Sequence, residues 1–288
     1  MISLKSGKLK RILFDIFVLL ALLQTLTMPL YASAQEPETV QVPIIMYHSL
    51  LDKKTNQWNI SPDAFEKDLQ YLSENGYHTV FISDLINYVY EGKTLPDKAI
   101  VLTFDDGYYN NYVSGMPLLE KYDMKMMLSV IGANTDLWTD HADEHDKRYG
   151  HLTWPQISEM MESGRVELAN HTQKLHKNDN GRDGCCRKKS EDLSAYEKLL
   201  TEDVEALQAR IQAICDVRPE CFTYPFGSKC SEAADIINKL GFKATLSSTS
   251  GINRLCVDDP DCLLYMKRNN RTPKTSVEAI LCELKSSQ

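Results

Sequence analysis

The first 184 residues contain no cysteine, and no Cys-x-x-Cys pair occurs anywhere in the 288-residue chain. Zinc ribbons and thioredoxin-like centres are thereby disfavoured. Internal repeats and low-complexity tracts are also missing, which leaves an ordinary globular fold. Basic residues are outnumbered, 32 Lys and Arg against 40 Asp and Glu, for a formal charge of −8. That balance argues against nucleic acid or an anionic membrane as partner. The longest apolar run, at 12–26, is short for a membrane span and is interrupted by Asp15. Finally, no histidine follows His176.

The amino-terminal stretch is nevertheless ordered in its chemistry. Lys5, Lys8, Lys10 and Arg11 precede the apolar run, and Ala32-Ser33-Ala34 supplies small residues in a cleavage pattern. This is the anatomy of a secretory signal peptide over 1–34, with an uncleaved membrane anchor as the alternative. Either puts the rest of the chain outside the cytoplasm, secreted or at the cell surface. Cleavage would remove four basic residues and one acidic one, moving the formal charge from −8 to −11. Residues 35–41 read as a polar Glu/Pro tether, and 42–288 as one domain long enough to bury a large core. The eight cysteines all lie from Cys185 onward. Export favours disulfides among them, Cys256 with Cys262 being one pairing across a small loop, and reduced thiols are the alternative.

From residue 42 strand-like and helix-like segments alternate. Strands are expected at 42–47, 79–82, 99–104, 126–130, 166–169, 221–224, 244–246 and 264–267. Ser61-Pro62 opens the first helix, with Ser as cap and Pro at the first helical position. Repeated alternation predicts an α/β fold, a distorted (β/α) barrel with seven or eight parallel strands, and active groups at the C-terminal ends of those strands.

One strand end stands out. Residues 99–104 are a largely apolar run that stops in Asp105-Asp106-Gly107. Two adjacent carboxylates repel unless a cation lies between them or one carries a proton, and Gly107 permits a turn that aims both at one pocket. An exposed turn cap is the plain alternative. A second constellation favours the metal: His171 and His176 follow the strand at 166–169, and two imidazoles plus one carboxylate leave a coordination position open, as in catalytic sites.

Thr103-Phe104-Asp105-Asp106-Gly107-Tyr108 and His171-Thr172 followed by His176 resemble the first two motifs of the polysaccharide deacetylases, the NodB-type carbohydrate esterase family. The resemblance runs from about residue 42 onward. It implies Asp105 as catalytic base and Asp106, His171 and His176 as ligands of a divalent metal, zinc first, with cobalt, nickel or iron(II) as alternatives. The commonest motif spaces its histidines four apart; the spacing of five here resembles the branch with poly-N-acetylglucosamine deacetylases. The implied activity is removal of N-acetyl groups from N-acetylglucosamine units of an extracellular or cell-wall polysaccharide, with no stable protein partner. An O-acetyl esterase of xylan type and an inactive glycan-binding relative are the alternatives.

Two departures from the family pattern shape the remaining expectations. Tyr224-Pro225-Phe226-Gly227 looks like the third motif, yet the arginine that usually stands two residues before the proline is Thr223. Arg268 is the candidate to replace it as the cation on Asp105. The family's late histidine is missing too, which leaves His48, at the end of the first strand, as candidate general acid. Tyr108 is expected at the cavity. The stretch 132–152, rich in acid and histidine without regular spacing, reads as a solvated loop, and Trp138 and Trp58 are optional sugar-stacking faces.

Overall fold

Eight short segments form one parallel sheet in the computed structural model, which describes residues 39–52, 56–141, 146–179, 181–228 and 230–286. The strands are β1 (Ile44–Tyr47), β2 (His78–Thr79), β3 (Ala99–Phe104), β4 (Met126–Val130), β5 (Val166–Asn170), β6 (Cys221–Thr223), β7 (Ala244–Leu246) and β8 (Asn269–Asn270). Every residue of β1, β3 and β4 is buried, as strands covered on both faces require. The expected signal segment at 1–34 and the tether as far as residue 38 lie outside the described residues.

Strand order is β7-β6-β5-β4-β3-β1-β8, with β2 paired to the foot of β3. The chain at 266–270 turns this arc into a ring. On one side Met266 N donates to Thr245 O at 2.8 Å and Ser247 N donates to Met266 O at 3.0 Å, while on the other Asn269 and Asn270 pair with Ile45 and Met46 of β1. So brief a closure makes this the distorted barrel expected from the alternation.

Three boundaries differ from the sequence reading. The last strand is not 264–267: Pro260–Leu263 is a 3-10 turn, and Tyr265 has a left-handed φ of 54° that a strand cannot contain. Nor does the second strand reach Ile82, because the helix Ile82–Glu91 starts there with Ile82 N and Ser83 N donating to the Glu167 carboxylate. Residues 39–41, read as tether, belong to a strand: Thr39–Val42 pairs antiparallel with Asn253–Cys256, seating Val40 opposite Leu255.

Helices cover the outside of the ring: α1 (Pro62–Glu74), α2 (Ile82–Glu91), α3 (Met116–Lys121), α4 (Gly132–Asp140), α5 (Trp154–Glu162), α6 (Leu193–Cys215), α7 (Ser231–Lys239) and α8 (Val277–Ser286). In α1, Ser61 Oγ accepts from Ala64 N, and Phe65, Leu69 and Leu72 face inward. One charged pair is enclosed among these helices. Asp68 of α1 accepts from Arg271 Nε at 2.7 Å and Nη2 at 3.2 Å, and also from Val277 N at the start of α8 and the Tyr47 hydroxyl. No helix among the described residues is long and apolar enough to cross a membrane.

Cys186 and Cys230 form a disulfide. The expected Cys256–Cys262 bond is absent and both thiols are free. Asp258, at φ 63°, and the 3-10 turn after it set the Cys262 thiol against the carbonyl oxygen of Cys256 and not its sulfur.

Candidate metal and catalytic site

β3 continues by one residue, Asp105 N donating to Tyr47 O, and then the backbone reverses: Asp106 and Gly107 both take left-handed φ, 71° and 70°. Aspartate tolerates that region better than most residues. The turn brings Asp105 and Asp106 to the same cavity. It is braced from behind by His151, whose Nδ1–H donates to Asp106 O at 2.9 Å. His151 was expected in a solvated loop. That stretch instead begins as helix α4 and ends by backing the aspartate turn, with Leu152 N donating to Gly107 O.

Beyond β5, His171 is buried and its Nδ1–H donates to Thr223 O at 2.8 Å. The donor assignment follows from the partner, since a carbonyl only accepts, and it leaves the Nε2 lone pair aimed at the cavity. His171 Nε2 and His176 Nε2 lie 3.6 and 3.5 Å from Asp106 Oδ1. These three are the one group among the described residues placed to share a metal ion, their donor atoms all within 4.8 Å of one another.

The donor set fits a divalent ion. Two N or O ligands about 2.0–2.1 Å from a shared tetrahedral ion lie roughly 3.3 Å apart, close to the separations found. Asp106 Oδ1 is enclosed yet has no hydrogen-bond partner among the described residues, a costly state for a carboxylate oxygen unless a cation completes it. Burial would raise the Asp106 carboxyl, but His171, His48 and His176 outweigh it and hold the group below the usual carboxylate range. Burial and the neighbouring His171 push His176 down to about 4, which keeps its imidazole neutral, the form that ligates.

Asp105 is held by Arg268, whose Nη1 donates to Oδ1 at 2.8 Å; the two side chains are 4% and 1% exposed. Arg268 also donates through Nε to Ser247 O at 2.7 Å and through Nη1 to Thr103 Oγ1 at 3.3 Å. Burial opposes ionisation of Asp105, and the guanidinium and His171 overcome it, so its pKa is lowered. Thr223, where the family pattern places arginine, instead shares a hydrogen bond with Ser129 Oγ across β4 and β6.

These groups open into a cavity of about 220 Å³ lined also by His48, Trp58, Tyr108, Tyr224, Phe226 and Gly227. The His48 ring lies tilted by 49° against Trp58, ring centres 4.6 Å apart, and its enclosed Nδ1 has no hydrogen-bond partner among the described residues. Enclosure lowers its pKa. Phe226, at φ 58° and 48% exposed, sits with its ring centre 4.4 Å from that of His176. Gly227 has φ 69°, and a Cβ there would meet Ser248 Oγ at 2.0 Å. Tyr224 stacks flat on Tyr265. Pro225 starts the 3-10 turn under Phe226 and does not line the cavity; neither does Trp138.

Sequence reasoning missed Asn56, Asn59 and Ser248, which with Met46 complete the lining, and His151. The first two also line a wider neighbouring hollow of about 670 Å³ with Tyr108, Lys147, Arg148 and Tyr149. Their position in the connection beyond the C-terminal end of β1 was the available signal, since the segments at that rim carry substrate contacts.

A family model described as polysaccharide deacetylase matches residues 92–245. The poly-beta-1,6-N-acetyl-D-glucosamine N-deacetylase of Escherichia coli K12 is 26% identical over 263 residues, 85% of this chain and 39% of the relative. This chain therefore spans about two fifths of that relative's length. Among solved structures, the de-N-acetylase from Aggregatibacter actinomycetemcomitans aligns with a TM-score of 0.71 at 23% identity over 84% of this chain and 99% of that one. IcaB from Ammonifex degensii aligns with a TM-score of 0.69 at 23% identity, over 84% and 97%. At those identities the two structures speak for a shared fold.

Proposed function

The chain belongs to the polysaccharide deacetylase family, and from that premise we propose that it hydrolyses N-acetyl groups of N-acetylglucosamine units in an extracellular or cell-wall polysaccharide, with a divalent metal as cofactor. The observation that carries the proposal is the partnerless Asp106 Oδ1, 3.5 and 3.6 Å from two imidazole nitrogens and beside an arginine-held Asp105. The name of the Escherichia coli relative supports N-acetylglucosamine as the sugar.

Lewis-acid activation of water and of the acetyl carbonyl is the chemistry that a divalent ion, zinc first, would supply when held by Asp106, His171 and His176. Asp105, kept ionised and fixed in direction by Arg268, takes a proton from the attacking water as its oxygen bonds to the acetyl carbon. The C–N bond then breaks, and the sugar nitrogen must gain a proton to leave as an amine. His48, the imidazole of the cavity outside the ligand set, relays to that nitrogen the proton that Asp105 took from the water, which returns both groups to their starting states. Acetate and a glucosamine unit are the products. Trp58 and Phe226 flank the opening as apolar faces for a sugar ring.

The same proposal places the domain outside the cytoplasm. The basic and apolar pattern of the first 34 residues supports this, as does the Cys186–Cys230 disulfide, a bond that persists in oxidising compartments.

The test is acetate release from N-acetylglucosamine oligomers by the purified chain, after chelation and after zinc is restored, with Asp106→Ala in parallel. Release should vanish with chelator, return with zinc and be absent in the variant. Release that persists in Asp106→Ala would overturn the ligand assignment.

A further inference from the structure

His171 and His176 are five residues apart. On an α-helix, at 100° per residue, that spacing points two side chains about 140° apart. Their rings nevertheless meet, with centres 4.6 Å apart, so the backbone between them is not helical, and residues 171–176 form neither helix nor strand. Such a loop has no internal partners for its peptide N–H groups, and near a buried site each needs an acceptor.

One side chain supplies them. Asp203, on α6, accepts Gln173 N through Oδ1 at 2.8 Å and Lys174 N through Oδ2 at 2.9 Å. The loop's carbonyls are held from the opposite side by the first turn of α4: Gly132 N donates to Thr172 O at 3.1 Å and Ala133 N donates to Gln173 O at 2.8 Å. Gly132 is needed for this approach, since a Cβ there would lie 1.9 Å from Gln173 Oε1 and 2.9 Å from Leu207 Cδ1. At the loop's start, Asn170 Oδ1 accepts Thr172 N at 2.9 Å while Asn170 Nδ2 donates to Val204 O at 3.1 Å. Consecutive residues of α6 thus fix both ends of the segment.

We propose that Asp203 is a positioning residue that gathers the Gln173 and Lys174 peptide N–H groups and so sets the reach of His176 towards Asp106 and His171. The inference rests on the ligand assignment under Proposed function, and it explains how a spacing of five delivers two convergent imidazoles. Without the carboxylate, water can take over the two N–H groups, so the fold persists while His176 loses its fixed place.

The experiment compares Zn²⁺ affinity, by competition with a chromophoric chelator, in the parent chain, Asp203→Ala, Asp203→Asn and Asp192→Ala. Asp192 caps the same helix remotely, its side chain accepting from Ala195 N, and so controls for general loosening of α6. Asp203→Ala should lose about 10- to 100-fold in Zn²⁺ affinity, the usual effect of removing a group that orients a ligand. Asp203→Asn, with one acceptor oxygen left, should lose less, and Asp192→Ala nothing. Amide hydrogen exchange of Gln173 and Lys174 in the metal-free protein is the second readout, expected to speed at least tenfold in Asp203→Ala and less in Asp203→Asn. Unchanged Zn²⁺ affinity and unchanged exchange in either Asp203 variant would overturn the inference. A parent chain that binds no Zn²⁺ would instead overturn the ligand assignment, and the exchange readout alone would then decide the role of Asp203.

Discussion

Replacing Arg268 by methionine is expected to disable the molecule in two separable ways. The guanidinium and the Asp105 carboxylate are almost fully buried and 2.8 Å apart. At an effective dielectric of about 20, two unit charges at that distance attract by roughly 6 kcal/mol, most of it offset by the cost of burying them. Removing one partner leaves the other buried charge uncompensated, at about 3–5 kcal/mol. Against a typical domain stability of about 5–15 kcal/mol, Arg268→Met should shift the urea midpoint well downward yet leave a folded population at low temperature. In that population the base has lost its fixed direction, and acetate release should fall by about 10²- to 10⁴-fold, the usual worth of a positioned base. Arg268→Lys keeps the charge but lacks the fork that reaches Ser247 O and Asp105 together. It should recover stability more than activity. Asp105→Asn combined with Arg268→Met should be less destabilised than the sum of the single changes by about 1–3 kcal/mol. An Arg268→Met chain that loses no more than the ~0.5 kcal/mol of an ordinary surface substitution, and hydrolyses at the parental rate, would refute the reasoning.

Asp68→Asn breaks the other buried pair, whose members do not line the cavity, and should cost about 3–5 kcal/mol in urea unfolding with kcat of the folded fraction unchanged. Reducing the Cys186–Cys230 bond, which closes a separation of 44 residues, should lower stability by up to about 4 kcal/mol on the chain-entropy estimate. Replacing Cys256 and Cys262 by serine should leave the reduction-sensitive part of stability intact, as read by melting with and without reductant. Trp58→Ala removes an apolar face at the cavity mouth and should raise KM for N-acetylglucosamine oligomers roughly tenfold, a step of about 1.4 kcal/mol, with kcat much less affected. Equal falls in kcat and kcat/KM would instead assign Trp58 to the chemical step.

What was legible in the sequence was whatever one strand carries within itself. The run ending in Asp105 and Asp106 announces both a buried strand and the chemistry at its tip, and the segment ending in Asn170 does the same for His171. Arg268 was reached through the family resemblance, which implies an arginine on the base where this chain has Thr223, and through its place just after the last expected strand. Contacts between remote segments were not legible. Asp203 lies between Glu202 and Val204 on a helix with many acids, and its role depends on which loop the barrel lays against it. Cys185 and Cys186 are indistinguishable in sequence, and the fold alone decides that Cys186 meets Cys230. The reading of 264–267 as a strand failed because a turn with a left-handed tyrosine buries Met266 and half-buries Leu264 and Tyr265, which periodicity does not register.

The short segment that closes the ring is also the segment that carries Arg268. It is pinned to β7 through Met266 and to β1 through Asn269 and Asn270, and the guanidinium passes inward between those two anchors to reach Asp105. The barrel is therefore fastened by a clasp whose tongue is a working part. Any fluctuation that parts the ring at this point also withdraws the cation from Asp105, so on the proposed mechanism opening there is expected to interrupt hydrolysis. On gentle heating, lost turnover should announce the parting of the clasp before the helices melt, and catalysis becomes a gauge of whether the ring is shut.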